Sequence, residues 1–199
     1  LSATTMLGGT TGELPRYYAD AAVIAYRLPP ADRLLTELKP RVSSSGGSFT
    51  LNDLADGNLS TTNLLPPMAV GEDMWIQYEF ETAQTFKAFS IVGASHTAME
   101  DFNGGPLNRA LKISDDGVNF KEVAAVSGST VSQNTVSFPP ATAKYFRFTF
   151  KTLPPEINVF AAMAGRPQDP KPKGVDVAEI VLHNTDRIDQ FEDKAGFTP

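Results

Sequence analysis

The stretch KYFRFTF, residues 144–150, decides the fold. Phe146, Phe148 and Phe150 alternate with Tyr145, Arg147 and Thr149. A period of two puts the three rings on one face of a β-strand and the remaining side chains on the other. The same alternation recurs in both directions. In WIQYEF (75–80), Ile76, Tyr78 and Phe80 alternate with Gln77, Glu79 and then Glu81. In VAEIVLH (177–183), Ala178, Ile180 and Leu182 alternate with Glu179 and His183. Phe89 with Ile91, Leu111 with Ile113, and Val136 with Phe138 give shorter versions. Ser114-Asp115-Asp116-Gly117, followed by Asn119-Phe120, predicts a tight hairpin. Many short strands separated by turn signals predict an all-β sandwich.

Helical signal is weak. ADRLLTEL (31–38) predicts two turns with Leu34, Leu35 and Leu38 on one side, bracketed by Pro29, Pro30 and Pro40. RVSSSGGS (41–48) reads as a flexible loop by composition. Two segments stand outside the strand pattern. One is an apolar strand over 21–28; the other is LPPEINVFAAMAGRPQDPKPKG (153–174), a Pro-rich insertion carrying Phe160, Met163 and Arg166.

Composition narrows the function classes. Of 199 residues, 41% are hydrophobic and 20% charged, as in globular proteins. The net charge of −6 argues against a nucleic-acid partner or an anionic membrane surface, and no apolar run approaches a membrane-spanning length. The absence of cysteine excludes disulfides, thiolate metal sites and thiol nucleophiles. The first residues, LSATTMLGGTTGELP, carry no signal-peptide pattern. A chain that starts at Leu1 and ends FEDKAGFTP reads as a piece excised from a longer protein.

Nothing in the chain predicts catalysis. The pairs Glu72-Asp73, Glu100-Asp101 and Glu192-Asp193 read as solvated turns. Adjacent carboxylates do not make the opposed acid and base that two-carboxylate catalysis needs. His96 and His183 are the only bases for a Ser/His/Asp triad, and no third member is placed by the sequence. No H-E-x-x-H motif, nucleophile elbow or phosphate-binding glycine loop is present.

Taken in order, DGNLST (56–61), WIQYEF, LKISDDGVNFKEV (111–123), KYFRFTF and VAEIVLH resemble the galactose-binding-like superfamily, the jelly-roll fold of discoidin domains and many carbohydrate-binding modules. The flanks PRYYADAAVIAYRLP (15–29) and RIDQFEDKAGF (187–197) are similar to segments of family-106 glycoside hydrolases, the α-L-rhamnosidases. This implies a jelly-roll sandwich over 48–184. An N-terminal extension and linker would precede it over 1–47, and a connector to a further domain would follow over 185–199. The domain would be a non-catalytic, carbohydrate-binding-like accessory of a polysaccharide-degrading enzyme, or else a purely structural domain packing on the catalytic barrel. The implied parent is a secreted or periplasmic bacterial glycoside hydrolase, with the family's catalytic carboxylates in the barrel, outside this sequence. The implied ligand is a plant-type oligosaccharide or polysaccharide.

The resemblance also implies a structural Ca²⁺ in the loop LNDLADGNLSTTN (51–63). Its ligands would be Asp56, Thr61, Glu179 and the carbonyls around Leu54 and Asn58. Calcium takes six to eight hard oxygens in a flexible arrangement. The plain alternative is an Asp-Gly turn in which Asp56 caps its own backbone. For sugar, the residue types point to ASHTAMEDFNGGPLNR (94–109). An aromatic ring covers the apolar face of a pyranose, and charged and amide groups bond its hydroxyls. His96, Glu100, Asp101, Phe102, Asn108 and Arg109 are the candidates there. The insertion over 153–174 is a second candidate surface, and Trp75 reads as a packing residue.

Overall fold

The computed structural model describes residues 32–93, 109–126, 133–155, 163–166 and 171–194. The strand expected over 21–28 lies outside them. In chain order the elements are α1 (Leu35–Leu38), β1 (Arg41–Ser44), α2 (Leu51–Ala55), β2 (Asn63–Leu65), β3 (Asp73–Val92), β4 (Arg109–Ser114), β5 (Lys121–Val126), β6 (Gln133–Lys151), β7 (Val175–Val177), β8 (Glu179–His183) and α3 (Phe191–Lys194).

The many short strands expected from the sequence are, in two places, one long strand each. β3 has 20 residues and β6 has 19. They pair antiparallel along their whole length, with register shifts between Glu79 and Gln84 and between Phe86 and Ala88. Extra residues at such irregularities bend a strand and raise its twist. Pro139 and Pro140 sit at the second shift, exposed, where no ladder N–H is required of them.

The bend folds one continuous sheet into two facing layers. The first half of β3 and the second half of β6 lie between β1 on one side and β4 and β5 on the other. The second half of β3 and the first half of β6 form the other layer, with β8 beside β3. The rings show that the layers face each other. Phe89 packs on Phe148 at 5.1 Å between centroids, and Phe86 on Phe146 at 4.9 Å, both edge-on. The Tyr78 hydroxyl, from the first layer, donates to the Ile180 carbonyl of β8 at 2.6 Å. Every apolar residue of the alternations read above is buried, including Ile76, Tyr78, Phe80, Phe146, Phe148, Phe150, Ala178, Ile180 and Leu182. This is the sandwich that the alternation predicts.

Three local expectations are corrected. Arg41–Ser44, read as a flexible loop, pairs with Ile76–Glu79. The edge of β3 takes this segment as its partner, with Val42 packed against the core and Arg41 facing Glu79. The helix expected over 31–38 is a single turn at Leu35–Leu38. Only Leu35 is buried, and Leu34 is 57% exposed. Lys39 ends it in the left-handed region at φ 46°. The start of LNDLADGNLSTTN is the helix α2, not loop. Thr50 and Asp53 form a reciprocal capping box, Asp53 N donating to Thr50 Oγ1 at 3.2 Å and Thr50 N to Asp53 Oδ2 at 2.8 Å.

Candidate functional site at the loop end of the sandwich

Because β3 and β6 double back, their ends meet. Phe86 packs at the level of Phe146 and Tyr78, and Phe89 at the level of Phe148 and Ile76. β3 therefore returns toward the end where it began. Val92 stands there beside Gln133 and Glu179, as Asp73 stands beside Lys151. Gly71 N donates to Thr152 O and Thr152 N to Glu72 O, both at 2.9 Å, closing the 66–72 turn on the root of the insertion. The far root of the insertion, β7, pairs with β2. Gly93 follows Val92 with φ 89°, and a Cβ there would lie 2.8 Å from Ala178 N, so this crossing requires glycine.

Both roots of the 94–108 loop, Gly93 and Arg109, thus share one end with both roots of the insertion and with the Asp56–Gly57 turn. His96, Glu100, Asp101, Phe102 and Asn108 lie outside the described residues. Arg109 opens β4, opposite Phe150 and Val126, and is only 2% exposed. It anchors the root of the loop within the sheet. Exposed apolar side chains also gather in the segments at this end: Leu59 (50%), Leu64 (55%), Met68 (39%) and Val70 (50%).

The Asp56 loop has a definite construction. Asp56 caps α2, and its Oδ1 accepts from Asn58 N at 2.7 Å. Asn58 Oδ1 accepts from Ser60 N at 3.1 Å, and its amide donates to Thr61 Oγ1 at 3.0 Å. Gly57, at φ 79°, gives its N–H to Glu179 Oε1 from β8. That bond already ties the turn to the last strand. Glu179 is 9% exposed, and burial first, then the Glu179 charge, push the Tyr78 hydroxyl above its ordinary range. Among the described residues no cluster of three or more His, Cys, Asp or Glu side chains forms a metal site. Still, the donor chemistry fits a hard cation. Two carboxylates, an Asn–Thr pair and the carbonyls left unpaired in the last turn of α2 meet around Gly57.

The acidic pairs are not all solvated turns, as the sequence reading had them. Asp73 bridges Lys151 at 2.8 Å and Lys112 at 2.9 Å. Partial burial opposes its ionisation, yet those two lysines hold its carboxyl below the usual value. Glu192 is 4% exposed and accepts from Thr135 N at 2.9 Å and Thr135 Oγ1 at 2.7 Å.

Sequence reasoning missed the contact of His183 with a serine, Ser90 Oγ at 2.9 Å. Its polarity is wrong for a nucleophile. Glu192 only accepts, so Thr135 Oγ1 donates to it. Ser90 must then donate to Thr135, at 3.0 Å, and His183 Nε2–H to Ser90. Arg187 Nη2 donates to His183 Nδ1 at 3.3 Å, which fixes the same tautomer. Burial first, then the Arg187 charge, depress the imidazole pKa to about 4. A catalytic serine gives its proton to histidine; this one receives a hydrogen bond from it. Trp75 packs against the outer face of the first layer. The Arg147 guanidinium lies 4.5 Å from its ring centroid and 3.8 Å from that of Phe120.

The sequence model of a family described as α-L-rhamnosidase matches residues 2–199. Among solved structures, the chain is similar to a rhamnosidase from Novosphingobium sp. PP1Y, with a TM-score of 0.57 and 20% identity. That match covers 81% of this chain and 13% of the rhamnosidase. It is also similar to CpGH89CBM32-6 of Clostridium perfringens, with a TM-score of 0.51 and 16% identity, covering 74% of this chain and 94% of that one. At such identities the structural likeness shows the fold alone: an antiparallel β-sandwich. No curated protein matches the chain.

Proposed function

Since the chain belongs to the α-L-rhamnosidase family, family 106 of the glycoside hydrolases, we propose that it is a carbohydrate-binding accessory domain of a larger glycoside hydrolase. The parent would be a secreted or periplasmic bacterial α-L-rhamnosidase acting on plant-type glycans, with its catalytic barrel as this domain's partner. The observation that carries the reading is the convergence of loop roots at one end of the sandwich, Gly93 and Arg109 with Thr152 and Val175. A ligand there would meet His96, Glu100, Asp101, Phe102 and Asn108, with Arg109 holding the root of their loop. Catalytic residues are not assigned to this domain; the family's catalytic carboxylates would lie in the barrel. Fold alone does not give function, so the glycan is a reading of the family and the site together.

The Asp56 loop would hold a structural Ca²⁺, with Asp56, Thr61, Glu179 and the carbonyls of Leu54 and Asn58 as ligands. A second reading has this end packing on the catalytic barrel with no glycan bound. The exposed Leu59, Leu64, Met68 and Val70 favour it, because a row of apolar side chains at one end suits a protein neighbour.

Titration with rhamnose- and galactose-containing oligosaccharides, with calcium and then with chelator, separates the two. Saturable binding that Phe102→Ala abolishes supports the glycan reading. An intact fold that binds no glycan supports the packing reading.

A further inference from the structure

We propose that Gln133–Ser137, the first part of β6, is a covered strand-pairing edge, and that Arg187–Lys194 is the latch that covers it. The partner such an edge fits is the same edge of a second copy of this chain.

Folding the sheet into two layers leaves strands at its margins. Natural proteins guard such margins with charge, because bare backbone donors and acceptors recruit another strand. β1 carries Arg41, β5 carries Lys121 and Glu122, and β8 carries Glu179. The first part of β6 reads Gln-Asn-Thr-Val-Ser and carries no charge. One side of it pairs with β3. No described strand pairs with its other side.

What lies on that side is the segment after β8. Thr135 N donates to Glu192 Oε2 and Ser137 N to Asp189 Oδ1, both at 2.9 Å. Gln190 N donates to Thr135 O, and Ser137 Oγ to Arg187 O, both at 2.8 Å. Residues two apart point their backbone groups the same way, so these are the groups an added antiparallel strand would use. Here two carboxylates stand in for strand carbonyls. The cover is made mainly by the Glu192 and Asp189 side chains, with one backbone bond from Gln190 N, rather than by a continuous ladder, so it can leave without breaking the sheet. The chain His183 to Ser90 to Thr135 to Glu192, closed by Arg187 on His183, holds it in place.

The occupant follows from the edge itself. An uncharged edge turned on itself about a two-fold axis brings no like charges together and returns a partner to each of the Thr135 and Ser137 groups. The other margins would set Lys121, Glu122 or Arg41 against a second strand.

The test uses the whole chain with Asp189→Ala and Glu192→Ala combined, and Glu192→Gln alone, which keeps an acceptor oxygen. Hydrogen exchange is read at Thr135, Ser137, Ile76 and Phe148, and mass by light scattering over a concentration series. In dilute solution the double variant should exchange Thr135 and Ser137 about tenfold faster, with Ile76 and Phe148 unchanged. As concentration rises, a dimer should form and protect those two amides again. Glu192→Gln should lie between wild type and the double variant. Unchanged exchange at Thr135 and Ser137 would overturn the latch. So would loss of protection at Ile76 and Phe148 as well, since the segment would then belong to the folding core. Fast local exchange in a strict monomer, or a dimer that leaves Thr135 and Ser137 unprotected, would overturn the pairing.

Discussion

The chain holds two Asp-Gly turns of similar sequence and opposite construction. At Asp116-Gly117 the carboxylate is fully used by its own turn. Oδ1 accepts from Ser114 Oγ, Val118 N and Asn119 N, each at 2.8 Å, and Oδ2 from the Asn119 amide at 2.7 Å. Those bonds, the one from Asn119 N first, hold its carboxyl far below the usual value. At Asp56-Gly57 the carboxylate accepts one local hydrogen bond, from Asn58 N, and the turn is held from afar by Glu179. The first turn closes a hairpin and is complete in itself. The second leaves carboxylate lone pairs uncommitted at the end where the long loops are rooted. Local saturation marks a structural turn; long-range support of an unsaturated one marks a place where a ligand can add bonds.

The contrast can be broken in graded ways. The largest effect is expected from Glu179→Ala, which leaves Gly57 N–H without its acceptor. It should cost about 2–3 kcal/mol in denaturant unfolding. Calcium comes next. At a hundred times its dissociation constant it should stabilise the wild type by about 2.7 kcal/mol. That gain should vanish in Asp56→Ala and survive in Asp116→Ala; equal losses in both variants would erase the distinction. Replacing the glycines is finer. Gly117→Ala meets both a φ of 75° and the Tyr145 ring 3.1 Å away, and should cost about 2 kcal/mol, whereas Gly57→Ala meets φ 79° in open space and should cost about 1 kcal/mol. The smallest effect is acid loss at Asp116. Its folded carboxyl lies below the ordinary aspartate value of 3.8, so its contribution is complete above that pH and is lost as pH falls beneath it. The thermal midpoint gap between wild type and Asp116→Asn should therefore narrow only below pH 3.8.

Most of the fold was legible because burial enforces a period of two. The alternations around Ile76, Phe148 and Ile180 all land in the core. What could not be read is continuity. Phe80 and Phe89 looked like two strands because the irregular stretch between them breaks the period, and bulges leave no signature in composition. Thr50 with Asp53 was a readable helix start, overlooked because the glycine after it suggested a turn. In the candidate site, the bond from Gly57 N to Glu179 was not readable from the residues, because no local pattern links positions 122 apart. Glu192 and Asp73 were misread as solvated because sequence shows that a residue is acidic but not what it reaches. Arg109 was a sugar-binding candidate by residue type; its 2% exposure, opposite Phe150, was not readable from the sequence.

The most direct test of the central claim is amide chemical-shift mapping of the chain, with calcium added to the buffer, during titration with rhamnose- and galactose-containing oligosaccharides. The account predicts saturable shifts clustered at Gly93, Arg109, Thr152 and Val175, with Gly117 and Tyr145 still. Shifts centred on the Gly117 turn, or none anywhere with the fold intact, would contradict it.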